Sequence, residues 1–208
     1  AAGAPWFVLP IDLVGYAKLT TTNVSTTGTK AITMTAIGSS ASNVDRYANG
    51  EGLRLFIGSY STMGANAPTM QVTYTNSAGA TGHVTTAGCV STAATTNGTV
   101  LNSGNAANKY GPFLPLDAGD TGVKDIESVI WGGTAHASGS VVVCLCKPLC
   151  MPIPVPATGL YSMVDFVNTL PSLPRLKNGA NVTFLVFGTG ATTAAATVYA
   201  NFDYGWGG

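Results

Sequence analysis

The chain has 208 residues, only 9% of them charged, and its nine basic and nine acidic side chains cancel. An average soluble domain carries about 25% charge, so charge this sparse excludes the clustered Lys/Arg footprint of a nucleic-acid binder. A hydrophobic content of 46% excludes a disordered chain, and no run reaches the roughly 18 apolar residues that cross a bilayer as a helix. Neither nucleic acid nor membrane is therefore an expected partner.

Residues 1–13, AAGAPWFVLPIDL, read as an extended N-terminal arm. Pro5 and Pro10 turn their predecessors away from helix, while the apolar residues between and after them are poorly suited to water. Two readings stand: a first strand on the chain's own core, or an arm that docks on a neighbouring subunit. Exposed apolar segments of this length mark interfaces, and on the second reading Trp6, Phe7, Val8 and Leu9 are partner contacts. Residues 14–208 are expected to form a single domain, since β-sandwiches of this size commonly share one core.

Strand patterns follow, recognised by alternation and β-branched content. Residues 14–22 alternate loosely, and a turn at 26–29 leads to KAITMTAI at 30–37, which alternates cleanly with Ile32, Met34 and Ala36 on one face. Residues 52–60 put Leu53, Leu55 and Ile57 inward; residues 69–76 put Met70, Val72 and Tyr74 on one face, with a return strand at 81–86. The Thr/Ala/Asn/Gly stretch 87–110 reads as a long surface loop with one short strand near 99–101. Strands are expected at 124–131 and 140–146. Prolines 152, 154 and 156 enforce an extended run unsuited to a central strand. Residues 160–170 fit a helical turn or a strand, and 181–187 and 197–204 fit strands. About nine strands with no helix beyond two turns and no internal repeat predict an all-β, jelly-roll-like β-sandwich.

The residues that could carry chemistry are few. Cys144, Cys146 and Cys150 form C-x-C-x3-C, with Cys89 distant. Zinc sites usually offer two close ligand pairs, and on a strand Cys144 and Cys146 continue the apolar row of Val142, so buried structural thiols are expected and no metal, a disulfide to Cys89 or Cys150 being the alternative. His83 and His136 have no partner visible in the sequence, and His136 sits in a Gly/Ala/Ser loop that reads as solvated. Asp117 and Asp120 precede or follow glycine in a turn and are expected to cap it. A hydrolase built on Asp117, Asp120 or Glu127 is a remote alternative; the chain is not expected to be an enzyme or to hold a cofactor. Trp206, in the tail NFDYGWGG, is a further candidate contact residue.

The run FLPLDAGDTGVKDIESVIW at 113–131, followed by a Val-rich strand ending in CKPL at 146–149, resembles a pattern in structural proteins of tailed bacteriophages. The blocks VTYTNSAGATGHV at 72–84 and LPRLKNGANVTFLVF at 173–187 are similar to it as well. The resemblance implies a head decoration, or cement, protein: β-rich, without cofactor or catalysis, made in the host cytoplasm and seated on the capsid exterior of the virion. Its implied partners are the major capsid protein and further copies of itself, a trimer being one option. A receptor- or carbohydrate-binding β module on a tail or surface is the alternative. A coat of Thr, Ser, Asn and Gly in place of Lys and Glu suits a protein packed among neighbours.

Overall fold

The computed structural model describes residues 6–37, 43–90, 97–104, 109–155 and 176–188. In chain order these form β1 (Trp6–Leu19), α1 (Thr21–Val24), β2 (Gly28–Ala31), β3 (Thr35–Ala36), a 3-10 helix (Asn43–Gly50), β4 (Arg54–Ser61) and β5 (Thr69–Asn76). There follow β6 (His83–Val84), β7 (Cys89–Val90), β8 (Val100–Leu101), β9 (Ser103–Gly104) and β10 (Lys109–Gly111). The last are β11 (Val123–Gly132), β12 (Ser140–Pro148), β13 (Ile153–Val155) and β14 (Val182–Gly188). The helical turn or strand expected at 160–170 and the strand expected at 197–204 lie outside the described residues.

These strands make two antiparallel sheets. One runs β13-β1-β12-β4-β8, with β14 and β3 also on β1; the other runs β10-β9-β7-β5-β11-β2, with β6 on β5. Alternation explains why they face each other. Val14, Ala17 and Leu19 of β1, Leu55 and Ile57 of β4, and Val141, Val143 and Leu145 of β12 meet Met70, Val72 and Tyr74 of β5 and Val123, Ile126, Val129 and Trp131 of β11 in one buried cluster. The inward residues read from the sequence for β4 and β5 are those observed. At about 25 cal/mol per Å² of apolar surface, this shared core is the main stabilising term.

The flanks are closed by segments that change sheets. KAITMTAI is not one strand: β2 pairs with β11 in one sheet and β3 with β1 in the other. Between them Ile32 and Met34 pack on the core, and a Cβ at Gly15 would stand 2.9 Å from the Met34 sulfur. On the opposite flank β8 pairs with β4, and β9, two residues on, pairs with β7. The stretch expected to be a loop at 87–110 thus carries four short strands that close an edge, which limits unwanted strand pairing.

Of the two readings of residues 1–13, a first strand on the chain's own core is the one the described part, 6–13, takes. Residues 6–13 belong to β1, and the boundary placed at 13/14 falls inside that strand. From Trp6 to Asp12 it pairs with β14, while Ile11 to Leu19 pair with β12 and Trp6 to Val8 with β13. Pro10 is tolerated because it lies between the β12 and β13 registers, where its carbonyl accepts from Leu149 N at 3.0 Å. Its missing N–H faces the same gap. The outward side chains Leu9 and Ile11 join Phe56, Cys144, Cys146 and Leu185 in a second buried cluster.

One polar group is locked into this frame. Asp12 is fully buried, and its carboxylate accepts from Arg46 Nε at 3.0 Å, from Arg46 NH2 at 2.8 Å, from the Tyr47 hydroxyl, and from Asn181 N at 2.8 Å. The 3-10 helix delivers Arg46 and Tyr47 to it. Asp12→Ala should leave Arg46 buried and unpaired and cost about 3–5 kcal/mol in urea unfolding, whereas the double change Asp12→Leu with Arg46→Met should cost much less. A second prediction concerns the far end, where Glu51 bridges Gly122. A Cβ at Gly122 would lie 2.1 Å from the Gly50 carbonyl oxygen, so Gly122→Ala should lower the urea midpoint by the equivalent of about 1–3 kcal/mol.

Candidate functional site

The carboxylates and the histidine singled out in the sequence come together where β5, its turn into β6, and the 115–122 segment meet. Tyr74 projects inward from β5 and is fully buried, and its hydroxyl donates to Asp120 Oδ2 at 2.6 Å while accepting from Asp117 N at 2.8 Å. Asn76 Nδ2 donates to Asp120 Oδ1 at 2.8 Å, and Asn76 Oδ1 accepts from Ala80 N at 2.9 Å. His83 Nδ1 stands 3.0 Å from Asp120 Oδ2 and 3.6 Å from Asp117 Oδ2. The side chain of Asp120 is 7% exposed and that of Asp117 48%.

Two bulges bring Glu127 into the same neighbourhood. β11 slips register against β5 between Val123 and Asp125 and again between Ile126 and Ser128. An extra residue in one strand re-aims its side chains. Glu127 Oε1 accepts from Thr75 Oγ1 at 2.7 Å, and both its carboxylate oxygens face Gly82 N at 3.2 and 3.3 Å. The turn 77–82 is thereby tied at its base by Asp120 and at its return by Glu127.

The electrostatics are those of a clamp. Burial opposes ionisation of Asp120, but donation from Tyr74 and Asn76, together with the charge and contact of His83, outweighs it and holds the carboxyl below its usual range. Burial, with the hydrogen bond to Asp120, raises the Tyr74 phenol well above its ordinary value. An Asp–His pair can orient an imidazole for general-base work. Here the far nitrogen, Nε2, faces the Asn76 amide at 3.4 Å, and among the described residues no hydroxyl is hydrogen-bonded to it. The expected turn capping holds for Asp117, whose Oδ1 accepts from Ala118 N at 2.9 Å. Asp120 reaches across to β5 instead.

The expected burial of the thiols holds for Cys89, Cys144 and Cys146, whereas Cys150 is half-buried; all four cysteines are free. Burial pushes Cys144 up to about 12 and Cys146 well above its ordinary value, the latter also raised by neighbouring Cys144 and Asp12. Thiols held protonated are weak nucleophiles and poor metal ligands. Cys144 and Cys146 line the second cluster with Val142 packed against it, while Cys89 lies in the main core, on the other side of the sheet.

The expected partner contacts are not brought together at the surface. Val8 and Leu9 are 5% and 3% exposed and Phe7 is half-buried, all within their own sheet. Trp6 is in β1, and Trp206 lies outside the described residues. Large exposed side chains occur elsewhere: Tyr16 of β1 is 37% exposed and Tyr60 of β4 is 55%, with Lys18 Nζ 3.6 Å above the Tyr60 ring. They sit on the outward face of the β1-β12-β4 sheet, where Tyr16 is in register with Cys144 and Phe56, Lys18 with Val142 and Gly58, and Tyr60 stands two residues beyond Gly58. Sequence reasoning passed over both tyrosines; their outward phase in otherwise apolar strands was the available signal.

Comparison of this chain with protein-family models, with curated proteins and with solved structures finds no match.

The folded-state depression of Asp120 fixes the sign of a pH effect. Its ionised form is favoured by folding, so the contribution is complete above the unfolded carboxyl value and is lost as pH falls through the lower folded one. Urea unfolding should therefore show stability falling below about pH 4. Asp120→Asn should reduce that acid slope and, at neutral pH, cost on the order of 1–3 kcal/mol by leaving Tyr74 and His83 without their charged partner.

Proposed function

We propose that this chain is a virion structural protein, a decoration or cement subunit on the exterior of a phage head that bridges neighbouring major capsid subunits. In this reading the two sheets form a jelly-roll-like sandwich that serves as a rigid spacer, and the protein associates with copies of itself as well as with the shell. The observation that carries the reading is the outward face with Tyr16, Lys18 and Tyr60 on a chain with 9% charge. Tyrosines are favoured contact residues because they bury a large area with little conformational entropy to lose. Val8 and Leu9 drop out as the adhesive because buried side chains have no surface to offer; Trp206 stays within the proposal.

Adhesion through modest contacts is sufficient when it is repeated over a lattice, because each further contact is made at high effective concentration. Tyr16→Ser and Tyr60→Ser should each weaken shell attachment by about 1–2 kcal/mol, roughly tenfold, in cosedimentation with undecorated heads. Heads stripped of the protein should lose integrity at a lower temperature than decorated ones, and equal melting of the two would refute the cement role. The same exposed tyrosines favour a second reading, a carbohydrate-binding module. Saturable binding on a glycan array that disappears in the Tyr60→Ser variant would select it.

A further inference from the structure

Three connections between the sheets meet at one end of the molecule. β1 passes through α1 to β2, β4 passes through residues 62–68 to β5, and β11 passes through residues 133–139 to β12. The third is stitched to the other two: His136 N donates to Val24 O at 3.1 Å, Gly64 N donates to Ser138 O at 3.2 Å, and Asn66 Nδ2 donates to Ala135 O. At the centre of these seams lies the imidazole of His136, 1% exposed, with buried Val24, Met63 and Trp131 in the same end. The solvated loop histidine expected from the sequence is thus a core residue. Its ring meets Trp131 edge-on at 6.1 Å between centroids.

Among the described residues, neither ring nitrogen of His136 has a hydrogen-bond partner, and neither does Trp131 Nε1 beside it. Gly64 comes nearest to serving as one: its backbone lies against the ring, and a Cβ there would be 3.5 Å from Nδ1. A neutral imidazole without partners is already costly to bury, and a charged one far more so. Among the described residues, no ion pair to His136 is found. The surrounding segments read TTNV at 21–24, TMGAN at 62–66, Trp131, and GGTAHASG at 132–139, and none of these carries a carboxylate or a cation apart from His136 itself.

We propose that His136 is an acid-sensitive latch: it joins the three connections only while its imidazole is neutral, and taking up a proton releases the 133–139 connection from Val24 and Gly64. Burial lowers the proton affinity of the ring in the closed state, against a weaker opposing contact with Gly64. An opened loop binds the proton with the ordinary histidine affinity. The closed form is therefore fully favoured above about pH 7 and loses ground as pH falls through about 6.5, by up to about tenfold in the open-to-closed ratio per pH unit. The acid response of Asp120 begins about two units lower, so the two do not overlap.

The test uses the full chain, whose only histidines are His83 and His136. Ring titration by NMR is paired with amide hydrogen exchange at pH 7 and pH 5, corrected for intrinsic rates. The amides of His136 and Gly64, which close the seams, should exchange about tenfold or more faster at the lower pH, in the parent chain and in His83→Gln alike. In His136→Phe the change should vanish. Titration of His136 near its ordinary value with both amides still protected would overturn the proposal, as would acid loosening that persists in His136→Phe. Should that variant fail to fold, the ring titration and the location of the exchange in the parent chain decide alone.

Discussion

The buried carboxylate of Asp12 is the constraint on which the rest of the architecture turns. It receives both arms of Arg46, the Tyr47 hydroxyl and the backbone of Asn181, and so pins the first strand, the 3-10 helix and the approach to β14 at one point. A buried ion pair adds little net stability over apolar residues of the same shape, because desolvating two charges offsets most of their attraction. What it adds is selection among arrangements. An apolar strand such as β1 could slide by two residues and still bury a hydrophobic face, but only one register sets Asp12 against Arg46. The same register sets Leu9 opposite Leu185 and Leu13 opposite Cys146, and with Ile11 completes the second cluster.

With β1 fixed, closure of the flanks follows. Two facing sheets present up to four edges, each a row of unpaired N–H and C=O groups. The chain covers two of them with segments that leave one sheet and join the other, at 28–36 and at 100–104. Glycine is needed where such a segment lies on its neighbour, as Gly15 does under Met34. The ends of the molecule use different chemistry. One is held by a polar clamp around Asp120 and the close approach of Gly50 to Gly122, the other by an apolar joint around Trp131 and His136.

These devices explain what could be read in the sequence. Where a strand is paired over its whole length and its residues alternate, as in β5 and around Leu55 and Ile57 of β4, period-two alternation identified both the element and its inner face. In β12, buried on both faces, the sequence marked the row of Val142, Cys144 and Cys146, whereas Val141, Val143 and Leu145 face the shared core. KAITMTAI misled because a strand that bends from one sheet to the other keeps its alternation, so nothing local marks the change of partner. The first strand misled for the converse reason. Its partner β14 lies 176 to 182 positions away, by pairing of Leu9 with Leu185 and Trp6 with Gly188, and a proline-flanked apolar run looks alike whether it meets its own sheet or a neighbour. NVDRYANG carries no apolar periodicity, and its importance lies in two side chains 34 and 35 positions from Asp12. GGTAHASG read as a solvated loop because its residues are small; small residues are also what allow a connection to pack tightly beneath its neighbours.

The distribution of charge joins the fold to the proposed role. Of nine acidic and nine basic residues, Asp12 and Arg46 are consumed by each other, Asp120 is turned inward, Glu127 is occupied by Thr75 and Gly82, and Lys18 lies over Tyr60. The exterior is thus poorer in free ions than the composition already suggests, and its hydration depends on threonine, serine and asparagine. Like-charge repulsion, the general barrier to protein association, is correspondingly weak. Such a surface tolerates close neighbours without selecting them, and selection then falls to the few places where bulky side chains stand out. In the proposed role, a frame that presents Tyr16 and Tyr60 on one outward face would bind through those side chains, while the rest of its weakly charged surface would tolerate close neighbours.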